Sequence, residues 1–428
     1  MHDSQVLLRT DGDAVTRLAR RRFDLDSETL GELVARRKDL GHQLDKLRGE
    51  ANRLAKQAGR EPGGAPAELR EQSRQLKERL HELESEHRVA EAAVTEFLLS
   101  VPNLPADEAP DGVGDDDAVE LRRVGEPRIP DFPVRHHADL GERTGQLDLR
   151  RAAKLSGARF SVTRGPLAAM HRALASFLLD LHTGEHGYVE YTVPTLVTRE
   201  TMTGTGQLPK FEADLFRTSV GDRELFLIPT AEVPLVNLFA GETLPAADLP
   251  LALTAHTPCF RSEAGSYGRD TRGIFRLHEF GKVELVRICR PEDSRRELDL
   301  LVGHAEECLR RLELAYRVVT LAAGDLGFSA HVTHDIEVWL PSQGRYREIS
   351  SCSDCGQFQA RRARIRVKDR SGGKTFAATL NGSGLPIGRT LIALLEQHQD
   401  ADGGVRVPDA LVPYTGFRRI APDGRAER

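Results

Sequence analysis

In residues 260–280, FRSEAGSYGRDTRGIFRLHEF, Arg261, Arg269, Arg272 and Arg276 are interleaved with Glu263, Phe275, His278 and glycines at 265, 268 and 273. A guanidinium fork meets two phosphate oxygens at once. Glycine lets the backbone turn or approach a ligand closely, and a phenylalanine ring offers a face to a purine. A carboxylate among the arginines accepts an amino proton or holds a guanidinium in place. The stretch thus has the composition of a triphosphate site, although an isolated Arg/Glu cluster reads equally as a salt-bridged surface hairpin.

A second stretch, ATLNGSGLPIGRTLIALLEQHQ (378–399), weighs against the surface hairpin. Asn381–Gly384 is predicted to be a turn that starts an apolar helix, with Arg389 in its first turns. Such a helix start favours anions through its free N–H groups and its dipole. No GxxxxGK[ST] loop occurs, and no GxGxxG follows a strand, so the common nucleotide folds are not supported.

The 428 residues suggest two or three domains. The net charge of −5 excludes a globally basic nucleic-acid binder, so any RNA contact must come from a local basic surface. No run approaches the roughly 18 apolar residues of a membrane span. The N-terminal MHDSQVLLRTDGDAV lacks the basic start and apolar run of a signal peptide. Cys259, Cys289, Cys308, Cys352 and Cys355 are an odd, scattered set, which predicts reduced thiols in a cytoplasm. Cys352-Ser-Asp-Cys355 has no matching second pair and reads as two strand or loop thiols rather than a zinc site.

Leu30, Leu33, Leu40, Leu44, Leu47 and Leu54 form a heptad-like seam that predicts a helix over 27–58. GREPGGAP (59–66) breaks it. Leu69, Leu76, Leu80, Leu83, Val94 and Phe97 mark a second helix, so the two fold back as an antiparallel coiled-coil hairpin. Near its tip Lys46, Arg48, Arg53, Lys56 and Arg60 face one acid, Glu50, and such a tip suits phosphates. The domains expected are an arm at 1–103, a linker at 104–135 rich in proline and acids, and a body at 136–428. In the body ELFLIPT (224–230) and DIEVWLP (335–341) predict a largely antiparallel sheet flanked by helices, an α+β fold.

Residues 260–280 resemble motif 2 of the class II aminoacyl-tRNA synthetases, 378–399 resembles motif 3, and 167–182 followed by EHGYVEYTVPTLV (185–197) is similar to motif 1. GTGQLPKF (204–211), IPTAEVPL (228–235), KVELV (282–286), REISSCS (347–353), FQARRA (358–363) and TLNGSG (379–384) resemble the seryl-tRNA synthetases specifically. With the arm, the likeness spans essentially the whole chain. It departs from the usual pattern at Glu279, Cys355 and Pro386.

The resemblance implies a class II antiparallel-sheet catalytic domain behind the coiled-coil arm. It implies that Thr230, Ala231, Glu232, Glu284 and Ser383 bind L-serine. ATP would be bound by Arg261, Ser262, Glu263, Phe275, Glu348, Ile349, Ser350, Ser351 and Arg389, with Glu348 and Ser351 on Mg²⁺. Phe275 and Arg389 would stack on opposite faces of adenine. The arm residues Lys46, Arg48, Arg53, Lys56 and Arg60 would meet tRNA(Ser), with tRNA(Sec) a further acceptor. The resemblance also implies a cytoplasmic homodimer with Pro194 at its interface. It leaves open a duplicate enzyme serving antibiotic biosynthesis or resistance.

Overall fold

The leucine seam forms as its spacing demands. Helix α1 spans Ser27–Ala58 and α2 spans Ala67–Ser100. Asp26 caps α1 by accepting the Thr29 N–H at 2.9 Å. Leu40 and Leu44 of α1 pack on Leu83 and Ala90 of α2, with Leu47 and Leu80 half-buried beside them. Polar residues cover the rest, as an arm of two helices requires. The computed structural model describes residues 1–60, 66–264, 268, 270 and 272–428. Most of the GREPGGAP break, residues 61–65, lies outside the described residues, as do Arg269 and the glycine expected at 265.

The chain divides into two compact units, Met1–Pro102 and Asn103–Arg428. The second is built on an eight-stranded sheet. In chain order its strands are β1 (Val119–Val124), β2 (Val189–Glu190), β3 (Leu251–Phe260), β4 (Glu279–Cys289), β5 (Tyr316–Thr320), β6 (Val332–Leu340), β7 (Arg345–Asp354) and β8 (Ala378–Pro386). Across the sheet they run β1-β5-β6-β7-β8-β4-β3-β2, and every ladder is antiparallel except β2 on β3. Helices α3 (Gly165–Gly184), α4 (Ser294–Arg311) and α5 (Ile387–Gln397) cover one face. Leu174, Leu178, Leu301, Leu309, Leu391 and Leu394 meet Val283, Leu285, Val318 and Ile336 there in the main core. Among the described residues no helix is long and apolar enough to cross a membrane. All five cysteines are free and buried.

Two expectations are corrected. The segment 104–135 is not a plain linker, because Val119–Val124 is the edge strand of the large sheet. Its sequence VELRRV hides this: an edge strand carries charges along its open side, and Arg122 reaches Glu306 with two hydrogen bonds, one of 3.0 Å. The turn expected at Asn381–Gly384 is the middle of strand β8. Its glycines serve packing. A Cβ on Gly382 would lie 2.5 Å from Leu301 and 2.8 Å from the Cys352 sulfur, and one on Gly384 2.7 Å from His182. The strand can lie against its helical cover only without those side chains.

Arg287 on β4 and Glu297 on α4 form a buried ion pair at 2.5 Å that joins sheet to helix. Removing one partner leaves the other charge buried and unpaired. Glu297→Ala should therefore destabilise the folded protein by about 3–5 kcal/mol, read as a fall in the thermal midpoint. A midpoint within a degree of wild type would contradict it.

Candidate active site

Successive residues of a strand point to opposite faces. On β4 this sends Phe280, Lys282 and Glu284 to the face opposite helices α3, α4 and α5, where they line a cleft of about 610 Å³ or the slot beside it. Glu279, where the sequence departs from the family pattern, lies one position out of phase and lines neither cavity. On the neighbouring β8, Asn381 and Ser383 face the cleft in the same way. Strand β7 needs a further device, because Glu348 and Ser351 are three apart and would point oppositely. A bulge supplies it: Glu337 pairs with Glu348 and Ile336 with Ser350, leaving Ile349 extra. Both Glu348 and Ser351 then line the cleft.

The floor of the cleft is a closed polar network. Thr230 donates to Glu284 at 2.8 Å and accepts from Lys282 at 3.0 Å and from the Glu232 N–H at 3.2 Å. Lys282 is also ion-paired with Glu284. Glu232 Oε1 accepts from Gln359 at 2.6 Å and Asn381 at 3.0 Å. Burial and the neighbouring Glu284 charge push the Glu232 carboxyl up to about 7, with Gln359 opposing. Cys355 lines this end of the cleft, and its sulfur accepts from Asn381 at 3.5 Å. Burial pushes its thiol well up, and that of Cys352 to about 12.

At the other end Arg261 follows directly on β3. Its Nε donates to the Pro229 carbonyl at 3.3 Å, and its guanidinium stands 5.3 Å from the Phe280 ring. Arg276 pairs with Glu263 at 3.0 Å and with Asp270 at 3.2 Å, and Asp270 is also held by Arg347 at 2.7 Å. Two guanidinium groups lie over the Phe275 ring, Arg347 at 4.0 Å and Arg389 at 4.6 Å from its centroid. The slot beside it measures only about 60 Å³. Arg389 donates to the Glu348 carbonyl at 3.0 Å and to its carboxylate at 3.2 Å. That cation holds the Glu348 carboxyl below its ordinary range. Burial and the Glu348 charge push the adjacent Asp335 well up.

Not every expected residue touches the cleft. The Ser262 hydroxyl turns to the Ala213 carbonyl at 3.0 Å, and Ala231 is fully buried in a small apolar cluster. Ile349 belongs to the main core and walls the slot. Ser350 is buried with its hydroxyl on the Ser383 carbonyl at 2.8 Å. Lys46, Arg48, Arg53, Lys56 and Arg60 are all exposed on α1 and just past its end, and Arg48 pairs with Glu84 at 2.9 Å.

Sequence reasoning missed Lys282, although its string was quoted. It also missed the buried His137, which links three distant segments. Its Nδ1 lies 2.9 Å from Glu396 Oε1 on α5, and its Nε2 accepts the Ile274 N–H at 3.3 Å, next to Phe275. Gly273, at φ +79°, passes where a Cβ would lie 2.0 Å from that ring. Only glycine suits that position.

Comparison with known proteins finds relatives along the whole chain. Residues 1–105 match the family model described as the seryl-tRNA synthetase N-terminal domain. Residues 211–398 match the tRNA synthetase class II core domain (G, H, P, S and T). The chain is 62% identical to serine–tRNA ligase 2 of Streptomyces avermitilis, over 99% of each protein. It is 50% identical to the serine–tRNA ligase of Neisseria gonorrhoeae, over 97% of this chain and 98% of that protein. Among solved structures it resembles the seryl-tRNA synthetase of Pyrococcus horikoshii complexed with ATP. The TM-score is 0.89 and the identity 35%, over 99% of this chain and 100% of that one.

Proposed function

The chain belongs to the seryl-tRNA synthetase family of class II enzymes, and on that premise we propose that Thr230, Glu232 and Glu284 hold serine while Arg261, Glu263, Phe275 and Arg389 hold ATP. The activity is that of a serine–tRNA ligase. The serine carboxylate attacks the α-phosphorus of ATP, pyrophosphate leaves, and the seryl group then passes from the adenylate to a hydroxyl of the 3′-terminal adenosine of tRNA, with AMP as the leaving group. The observation that carries the residue roles is the network of Thr230, Glu232 and Glu284 at the floor of a cleft whose far end is walled by Arg261 and Glu348.

Two carboxylates suit the α-ammonium of an amino acid, and Ser383 adds a polar group for the side-chain hydroxyl. A pocket built to hydrogen-bond a hydroxyl rejects alanine strongly, because its buried polar groups are left unpaired. Threonine is excluded by size. Ala231 and Ser350 support this floor from beneath, and Ser262 fixes the turn between Arg261 and Glu263.

At the nucleotide end Arg261 takes the α-phosphate, and Glu263, steadied by Arg276, faces the adenine edge. Adenine enters between Phe275 and Arg389. Two stacked layers need about 7 Å, so Arg389 moves outward from its 4.6 Å contact on binding. Catalysis is then positioning and charge stabilisation by these guanidinium groups. Glu348 and Ser351 hold Mg²⁺ in this reading. The donors are oxygens only, as a hard cation prefers, and the buried Asp335 Oδ1 beside them has no hydrogen-bond partner among the described residues. Bound there, Mg²⁺ neutralises phosphate charge as a Lewis acid.

The arm meets tRNA(Ser), and tRNA(Sec) where a cell has one, through backbone contacts. Two copies pair through the segment around Pro194, where Val189 and Leu196 are 58% and 43% exposed.

Serine-dependent ATP–pyrophosphate exchange tests the assignment, and folded protein that shows none would sink it. The pH profile tests Glu232. Its folded value near 7 exceeds its ordinary 4.5, so the free enzyme carries it protonated below pH 7. The kcat/KM for serine should rise with unit slope up to about pH 7, and Glu232→Gln should lose both that inflection and about a hundredfold in rate. The stability linkage runs the opposite way. A raised carboxyl costs stability as pH climbs from 4.5 through 7, so Glu232→Gln should melt no lower than wild type at pH 8. An unchanged serine profile in the variant would refute the role.

A further inference from the structure

We propose that Lys282 occupies the ammonium subsite of the serine pocket and moves to the nucleotide phosphate when serine displaces it. This rests on the reading of Thr230, Glu232 and Glu284 as the serine pocket.

The hydrogen bonds carry the argument. A hydroxyl has one proton and two acceptor positions. Thr230 spends its proton on Glu284, and its acceptor positions take the Lys282 ammonium and the Glu232 N–H. Lys282 pairs with the same Glu284 oxygen that Thr230 uses. An ammonium group already sits on the acceptors that a serine α-ammonium needs. The Lys282 and Glu284 side chains are 8% and 2% exposed, so little water shares the site. Two ammonium groups a few ångströms apart repel strongly where water is excluded. Serine can use Thr230 and Glu284 only if the lysine leaves.

The destination follows from position. Lys282, Arg261, Glu263 and Ser383 line both the cleft and the nucleotide slot, so the ammonium stands at their junction. A lysine stem of four carbons lets the charge swing across that junction. An ejected buried ammonium with no new partner is costly, and the anion on the far side is the phosphate beside Arg261. ATP therefore supplies what serine removes from Lys282, and each substrate should tighten the other equally. Lys282 becomes a substrate-contacting residue as well as a counter-ion of the pocket.

Isothermal titration of the full chain with serine, without and with an α,β-methylene ATP analogue, tests this. In wild type the analogue should lower the serine Kd by about tenfold; in Lys282→Met the two values should coincide. The same tenfold gain in Lys282→Met, or none in wild type, would overturn the proposal. Should the variant not fold, a wild-type crystal structure with both ligands decides. Lys282 Nζ is expected more than about 3.5 Å from Thr230 Oγ1, and an Nζ still within hydrogen-bond reach overturns the displacement. Glu284→Gln is the control for the pocket itself. If that variant binds serine as tightly as wild type, the pocket reading fails, whatever Lys282 does.

Discussion

Deletion of residues 36–92 should lower kcat/KM for tRNA by about a thousandfold, roughly 4 kcal/mol of tRNA recognition, while serine-dependent pyrophosphate exchange stays within about threefold of wild type. The cut is in register. Gly41 lies against His87 and Arg48 pairs with Glu84, so the residues removed from α1 and α2 end at about the same level. What remains is a short hairpin whose Leu30, Val94 and Leu98 are buried. The deletion removes Lys46, Arg48, Arg53, Lys56 and Arg60, all exposed. Each phosphate such a residue neutralises releases counterions, so charging by the wild type should also weaken steeply with salt. Among the described residues, every one lining the cleft belongs to the second unit, between positions 205 and 383. Activation and tRNA recognition should therefore separate. Equal losses in exchange and charging would show that the arm shapes the serine or ATP site instead.

The two long helices were legible in the chain, because a leucine seam needs only helical periodicity to be recognised. It put α1 at Ser27–Ala58. The strand around DIEVWLP was equally open to reading, since alternation survives wherever one face is buried. Two stretches misled for opposite reasons. Asn381–Gly384 looks like a turn, yet its glycines answer the closeness of Leu301 and His182, which lie far away in sequence. Residues 119–124 look like a polar linker because an edge strand shows most of its side chains to water. Within the site, the residue types were legible and the pairings were not. Lys282 stands two positions before Glu284, and only the strand's period of two, with Thr230 brought across by another segment, makes the three a network. Glu279 is the converse case. It stands beside the arginines in sequence, yet the same period of two keeps it out of both cavities.

Arg389→Ala should lower kcat/KM for ATP in pyrophosphate exchange by about 10²–10³-fold, with the melting temperature little changed. Arg389 does three things that one methyl group cannot. It carries a fixed positive charge in the first turn of α5, it covers Phe275 at 4.6 Å, and it ties down Glu348 through both carbonyl and carboxylate. The first two losses fall on ATP itself, since charge and stacking are both removed. The third falls on protonation. Arg389 is the largest influence holding the Glu348 carboxyl below its ordinary range, so without it that carboxyl rises. A depressed carboxyl loses its charge only as pH falls through the folded value. The variant should therefore begin to lose activity at a higher pH than wild type on the acid side. Arg389→Lys separates the contributions. It keeps a charge near Glu348, so the acid limb should return toward wild type, while a compact ammonium cannot lie flat on adenine and ATP affinity should stay impaired. If Arg389→Lys instead restores ATP affinity in full, charge alone explains the residue and the stacking role assigned to it is wrong.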